Sequence, residues 1–289
     1  MKHRAATDLT DYARRYDYTA YLSKRDWAFE YLRRNPKFQK AAWAGLSEAP
    51  DGQIACHGIT VMQLNERQPE AEAWGLKFFC NPDLAAPNAP VFWTSDAAPL
   101  IVQVTVVPRE PHERHALFEK TINRCRMLHL TDYDGSEHLV HIGKASSVQV
   151  ACTGHTLVTT KPVKTFLSVG EIDDLDIRQE MVKQATQVYG DHVVDPPEFS
   201  YRARLARNGL IALDGYRAGL TDREVAYIID GYSSVQRGIE NGDRSLIRRV
   251  KTYRDKAIEL SEGGYRDLLL PANYAFDRYK CKSDSEKQT

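Results

Sequence analysis

Between residues 99 and 175 the hydrophobic pattern leaves the helical period, takes up strand texture, and then returns to helix. "PLIVQVTVVP" is dense in β-branched residues, "MLHLTDYDGSEHLVHIG" alternates on either side of Asp134-Gly135 as a hairpin must, and "SSVQVACTGHTLVTT" adds further strand material. The pattern predicts a small antiparallel sheet. A short helix is expected over "EPHERHALFEKTINRC", and a longer one over "EIDDLDIRQEMVKQATQVYG" before Pro196-Pro197 marks a linker.

The texture on either side of this segment is helical. Residues 1–98 hold all four tryptophans. In "SKRDWAFEYLRRN", Ser23 is a candidate N-cap, and Pro36 disfavours helix at the residue before it. Trp27, Tyr31 and Leu32 then share one face while Arg25, Arg33 and Arg34 surround the rest. A second aromatic run carrying Trp74 and Trp93 is broken by Pro82, Pro87 and Pro90, which suits an irregular segment packed on a helical body. The expected class is therefore α+β: a helical N-terminal module over 1–98, a β-rich segment with a flanking helix over 99–195, an all-helical module over 196–275, and a tail over 276–289. A chain of 289 residues is long enough for two or three such cores.

The third region carries the sharpest signal. In "AGLTDREVAYIIDGYSSVQRGIENGDRSLIRRVKTYRDKAIEL", Thr221 and Glu224 form a capping box, Val225, Ile228 and Ile229 face inward, and Gly231 ends the helix. Asp243 caps a second helix. At about 100° per residue Leu246, Val250, Tyr253, Ala257 and Leu260 fall on one side, and Arg244, Arg248, Lys251 and Thr252 on the other. The whole chain balances 39 basic against 39 acidic residues, so nucleic-acid affinity has to come from a local patch such as this one.

Helix-turn-helix recognition uses such a helix, with a buried stripe behind and arginines in front. Arg244, Ser245 and Arg248 are expected at base edges, and Arg249, Lys251 and Arg254 at phosphates. The dozen-residue spacer departs from the three or four residues of an ordinary turn. A basic amphipathic helix also serves as a solvated face, or as a surface for an acidic protein partner. A protein-interaction regulator is thus the second reading.

Other chemistry is not encoded in any recognisable pattern. The five cysteines, Cys56, Cys80, Cys125, Cys152 and Cys281, are odd in number and lack a CxxC pair, which argues against a disulfide framework or a zinc ribbon. His112 and His115 miss the spacing of a metalloprotease helix, and Cys125, Cys152 and His155 read as packing residues. Glu171, Asp173, Asp174 and Asp176 open a helix, where acids complement the dipole. No phosphate-binding glycine loop, apolar leader or membrane-length apolar window is present. The expectation is a cytoplasmic, nucleoid-associated protein that is not an enzyme, with no metal and no cofactor.

"DWAFEYLRRNPKFQKAAW" and "WGLKFFCNPDLAAPNAPVFW", followed by "LDGYRAGLTDREVAYIIDGY" and "SLIRRVKTYRDKAIELSEGGYRDLL", resemble in this order the two modules of frameshift-fused excision activators of the FseA type. These are transcriptional regulators of integrative and conjugative elements in proteobacteria. The resemblance spans the chain nearly end to end, and "GGYRDLL" after the basic helix is its most specific part. It implies an activator of excision and transfer genes, and a helix-turn-helix with an extended turn whose basic face falls on Arg244, Arg248, Arg249 and Lys251, with Arg254 flanking. It also implies double-stranded promoter DNA, a small antiactivator resembling the C-terminal module, and RNA polymerase as partners. The antiactivator would compete for an interdomain surface around Trp27, Tyr31, Trp74 and Trp93.

Overall fold

The computed structural model describes residues 11–54, 59–110, 112, 126–143, 147–157, 163–167, 179–180, 182–183 and 200–270. The expected helices over 110–125 and 171–190, the Pro196-Pro197 linker, Cys56, Cys125, His115, the four acids from Glu171 to Asp176 and the tail over 276–289 lie wholly or mainly outside these residues. The chain divides into two compact units, one of residues 23–194 and 266–289, the other of residues 1–22 and 195–265.

The sheet-bearing unit opens with α1 (Lys24–Leu32) and α2 (Pro36–Gly45). Ser23 and Asp26 close a capping box at the start of α1. The Asn35 side chain accepts from Lys37 and Phe38 at the start of α2, where Pro36 occupies the first position, in which a missing N–H costs nothing. Seven strands follow: β1 (Gln53–Ile54), β2 (Thr60–Gln63), β3 (Val102–Pro108), β4 (Arg126–Thr131), β5 (Glu137–Ile142), β6 (Ser147–Gly154) and β7 (Val163–Leu167). A four-residue helix, α3 (Pro69–Glu72), lies between β2 and β3.

The strands form a single sheet in the order β1-β2-β4-β5-β6-β3-β7. The β4–β5 hairpin turns at Asp134-Gly135 as expected, with Gly135 at φ 83° and its N–H donating to Asp132. Two expectations are corrected. The sheet is mixed rather than antiparallel, because β2 runs parallel to β4 and β3 parallel to β6. The boundary drawn at residue 98 also runs through this sheet, since β1 and β2 come from the polar, turn-rich stretch of the region read as mainly helical.

Both faces of the central strands are buried. Val102, Val104, Val106, Met127, Leu139, Val148 and Val150 form the core of one face. On the other, the Ser147 hydroxyl donates to the Asp26 carboxylate at 2.6 Å, and the Gln149 amide brackets the backbone of Trp93 at 2.9 and 2.8 Å. A strand covered on both sides buries successive residues, as β5 does from His138 to His141 despite its two imidazoles. His138 and His141 are thereby buried.

The second unit is helical: α4 (Tyr201–Arg217), α5 (Asp222–Asp230), α6 (Tyr232–Glu240) and α7 (Ser245–Ser261). Its core is Leu210, Ile211, Leu213, Val225, Ile228, Val235, Val250 and Ala257. Residues 11–22, far away in sequence, belong to it. The Tyr16 hydroxyl donates to Asp214 at 2.8 Å, and Arg207 reaches both the Ala13 carbonyl and Asp17. No helix among the described residues is long and apolar enough to cross a membrane.

Candidate nucleic-acid interface

Four short-range devices set the course of α5, α6 and α7. Thr221 and Glu224 close the expected capping box at the start of α5. Gly231, at φ 83° and ψ 146°, lets the chain stop α5 and begin α6 after one residue, a backbone state that side chains resist. Gly242, at φ 75°, sits in the turn between α6 and α7. Asp243 accepts the Ser245 N–H at 2.7 Å and its hydroxyl at 3.0 Å, fixing the start of α7.

The spacer that sequence reading left as an extended turn is therefore largely a helix. Only Asn241 to Arg244 separate α6 from α7, the length of an ordinary helix-turn-helix connection. α6 was hidden by its polar face of Ser233, Ser234 and Arg237, although Val235 is buried beneath it. Tyr227 of α5 and Tyr232 of α6 meet with ring planes tilted by 40° and centroids 4.8 Å apart, and Arg223 donates to Gln236 across the same joint.

α7 keeps the two-sided layout that was expected. Val250 and Ala257 are fully buried, whereas Arg244, Ser245, Arg248, Arg249, Lys251 and Thr252 are exposed. Among the described residues no carboxylate forms an ion pair with Arg244, Arg248 or Lys251. These three cations carry the exposed face.

Two arginines differ from that picture. Arg254 is largely buried; it bonds Asp222 of α5 at 2.7 Å and lies 4.9 Å over the Tyr216 ring of α4. It clamps three helices together, so the side chain expected at phosphate is already held by Asp222 and Tyr216. Arg249 is half exposed but bonds Asp230 at 2.9 Å and lies 6.0 Å from the centre of the Tyr253 ring. The acids that hold both arginines lie 32 and 19 residues away in sequence, beyond the reach of helical spacing.

Arg254→Ala is expected to lower the stability of this unit by about 1–2 kcal/mol through the lost ion pair and ring contact. DNA affinity should stay within about twofold of the parent. Thermal melting and anisotropy titration on one preparation check this, and an unchanged melt with weakened DNA binding would return Arg254 to the interface.

The aromatic residues expected to receive a partner as well as to pack the core lie mostly in the core. Tyr31 and Trp93 are each 1% exposed and Trp27 is 8% exposed, while Trp74 is half-buried against Phe38 at 5.6 Å. They fill the sheet-bearing unit, because α1 and the proline-broken loop close over rings of that size. Trp43, at 49%, is the exposed tryptophan. Of the residues weighed as metal ligands, His112, His155 and Cys152 are described; Cys152 is buried on β6, with its thiol pushed up by burial first and by Glu137 second.

Residues 171–270, which contain α4 to α7, match the family described as a T6SS transcription factor DNA-binding domain, RovC_DNA-bd. Residues 11–79 match the proteobacterial transcriptional regulator-like domain. No curated protein matches the chain. With the one-sided basic helix lying inside the first match, the protein is a DNA-binding transcriptional regulator.

Proposed function

We propose that the chain is a transcriptional activator of excision and transfer genes on an integrative and conjugative element, restrained by a small antiactivator that resembles its C-terminal module. The observation that carries this reading is the row of exposed cations Arg244, Arg248 and Lys251 on α7, opposite the buried Val250 and Ala257. The order of the two matched regions and the "GGYRDLL" that follows α7 support it. On this reading the activator works on promoter DNA at the nucleoid, contacts RNA polymerase, and carries neither catalytic activity nor cofactor.

Antiactivator control gains a concrete docking point. Residues 11–22 are held against α4 by Tyr16, Asp17 and Ala13, so a separate copy of the α4–α7 module would compete for that segment rather than for the buried tryptophans. The segment also opens the matched regulator-like region.

Fluorescence anisotropy against a transfer-gene promoter and a scrambled duplex at near-physiological salt tests the reading, with an Arg244→Ala, Arg248→Ala double variant alongside. Each lost base contact is expected to cost about 1–3 kcal/mol, so promoter preference should fall by at least tenfold in a variant that still melts cooperatively. Affinity should drop steeply as salt rises. Equal weak binding to both duplexes, unchanged in the variant, would favour the second reading, in which α7 meets an acidic protein.

A further inference from the structure

Asp230 is placed where a carboxylate is least welcome. It is the last residue of α5, at the negative end of the helix dipole, and four-fifths of its side chain is buried. One oxygen, Oδ1, accepts from Arg249; the other, Oδ2, is buried with no hydrogen-bond partner among the described residues. A half-satisfied acid breaks the local rules of stability, and such violations concentrate at functional positions.

The partner gives the acid its meaning. Arg249 lies about 100° round α7 from Arg248, on the flank of the cationic row away from Lys251, and 46% of its side chain remains open to solvent. The carboxylate holds one edge of the guanidinium and the Tyr253 ring lies beneath it, leaving the remaining N–H groups directed by the clamp rather than by a flexible stem.

We infer that Asp230 is a specificity-determining residue of DNA recognition: it ties Arg249 to one position, so that arbitrary phosphates cannot recruit it. This inference rests on the DNA-binding reading of α7. A tethered arginine meets only DNA that presents a phosphate or base edge at the clamped position. A freed one reaches phosphate on any duplex and adds one released counterion to non-specific binding. Asp230 touches no DNA on this account and acts entirely through Arg249.

The test uses the full chain, a duplex enriched by the parent protein from a random library, and a scrambled duplex of equal length. Asp230→Asn keeps the shape and removes the charge. It is expected to raise affinity for the scrambled duplex about three- to tenfold and to steepen its salt slope by about one, while affinity for the enriched duplex changes by less than about twofold. In an Arg249→Gln background, which alters only the exposed side of the pair, the same substitution should leave the ratio of the two affinities unchanged. Thermal melts of Asp230→Asn and of the double variant should match or exceed the parent, while Arg249→Gln alone, which leaves Asp230 without its guanidinium, should melt lower.

Equal gains on both duplexes, or a ratio that still changes when Arg249 is absent, would mean a general charge effect and overturn the inference. An unaltered ratio for Asp230→Asn would overturn it too, leaving the DNA-binding reading intact. Failure of the parent to enrich any sequence would sink both together.

Discussion

A Glu30→Ala chain is expected to lose about 3–5 kcal/mol from the stability of its sheet-bearing unit. Glu30 is fully buried in α1. Its Oε2 accepts from Arg33 at 2.7 Å and from Arg34 at 2.5 Å, and its Oε1 accepts the Ala86 N–H at 2.8 Å. Burial alone would push the carboxyl up; the charges of Arg34 and Arg33 and the Ala86 N–H outweigh it and hold the group below the usual carboxylate range. Removing the acid strands Arg34, itself buried, and breaks the tie between α1 and the loop that ends the aromatic run. All four tryptophans lie between residues 27 and 93, inside this unit, so urea unfolding followed by tryptophan fluorescence reports it selectively. A loss below about 1 kcal/mol would show that Arg34 finds water once its partner is gone.

The second large effect is acid lability of the same unit. His138 is held down to about 4 by burial first and by Lys77 second, against the opposing pull of Asp132 and Asp134; His141 is held down to about 4 by burial. Because the folded state resists protonation, the unfolded chain binds protons first. Stability is therefore intact above about 6.5 and falls progressively as the pH drops toward 4. Each ring contributes about 3 kcal/mol once fully titrated. Glu30 and Glu137, both held below their usual range, add to the loss only below about 4.5.

No histidine occurs between residues 195 and 265 or between 11 and 22, so the helices of the DNA-binding unit and the segment packed on them lack this sensitivity. Urea midpoints by tryptophan fluorescence from pH 7.5 to 4.5 should fall steadily, while helical content from α4 to α7 persists. A flat profile above pH 4.5 would show that both imidazoles take up protons without leaving their sites.

What sequence could reveal was local. The Asp134-Gly135 turn and the Thr221–Glu224 box each depend on residues within a few positions of one another, and each was legible for that reason; Asp243, expected as the cap of α7, bonds Ser245 from one residue before the N-cap position, which Arg244 holds. So was the buried stripe of α7, since helical period needs no partner to be read. α6 escaped because its polar face outnumbers its one buried valine and because glycines bracket it. The parallel pairings of β2 with β4 and β3 with β6 join segments that no turn connects, and four residues of alternating pattern do not name their neighbour.

The candidate site divides in the same way. That arginines gather on α7 was visible; that Arg249 and Arg254 are held by Asp230 and Asp222 required helices to pack. The fate of the aromatics followed the same principle, because an exposed ring and a core ring have one composition. Trp43 and Trp93 differ only in what lies over them.

Residues 11–22 are made well before the helix they pack against. Tyr16 waits for Asp214, 198 residues downstream, while everything from Ser23 to Val194 is made in between. Through that interval the segment waits without α4 to pack against. The order of synthesis thus lets the sheet-bearing unit begin to fold before the helical one can close.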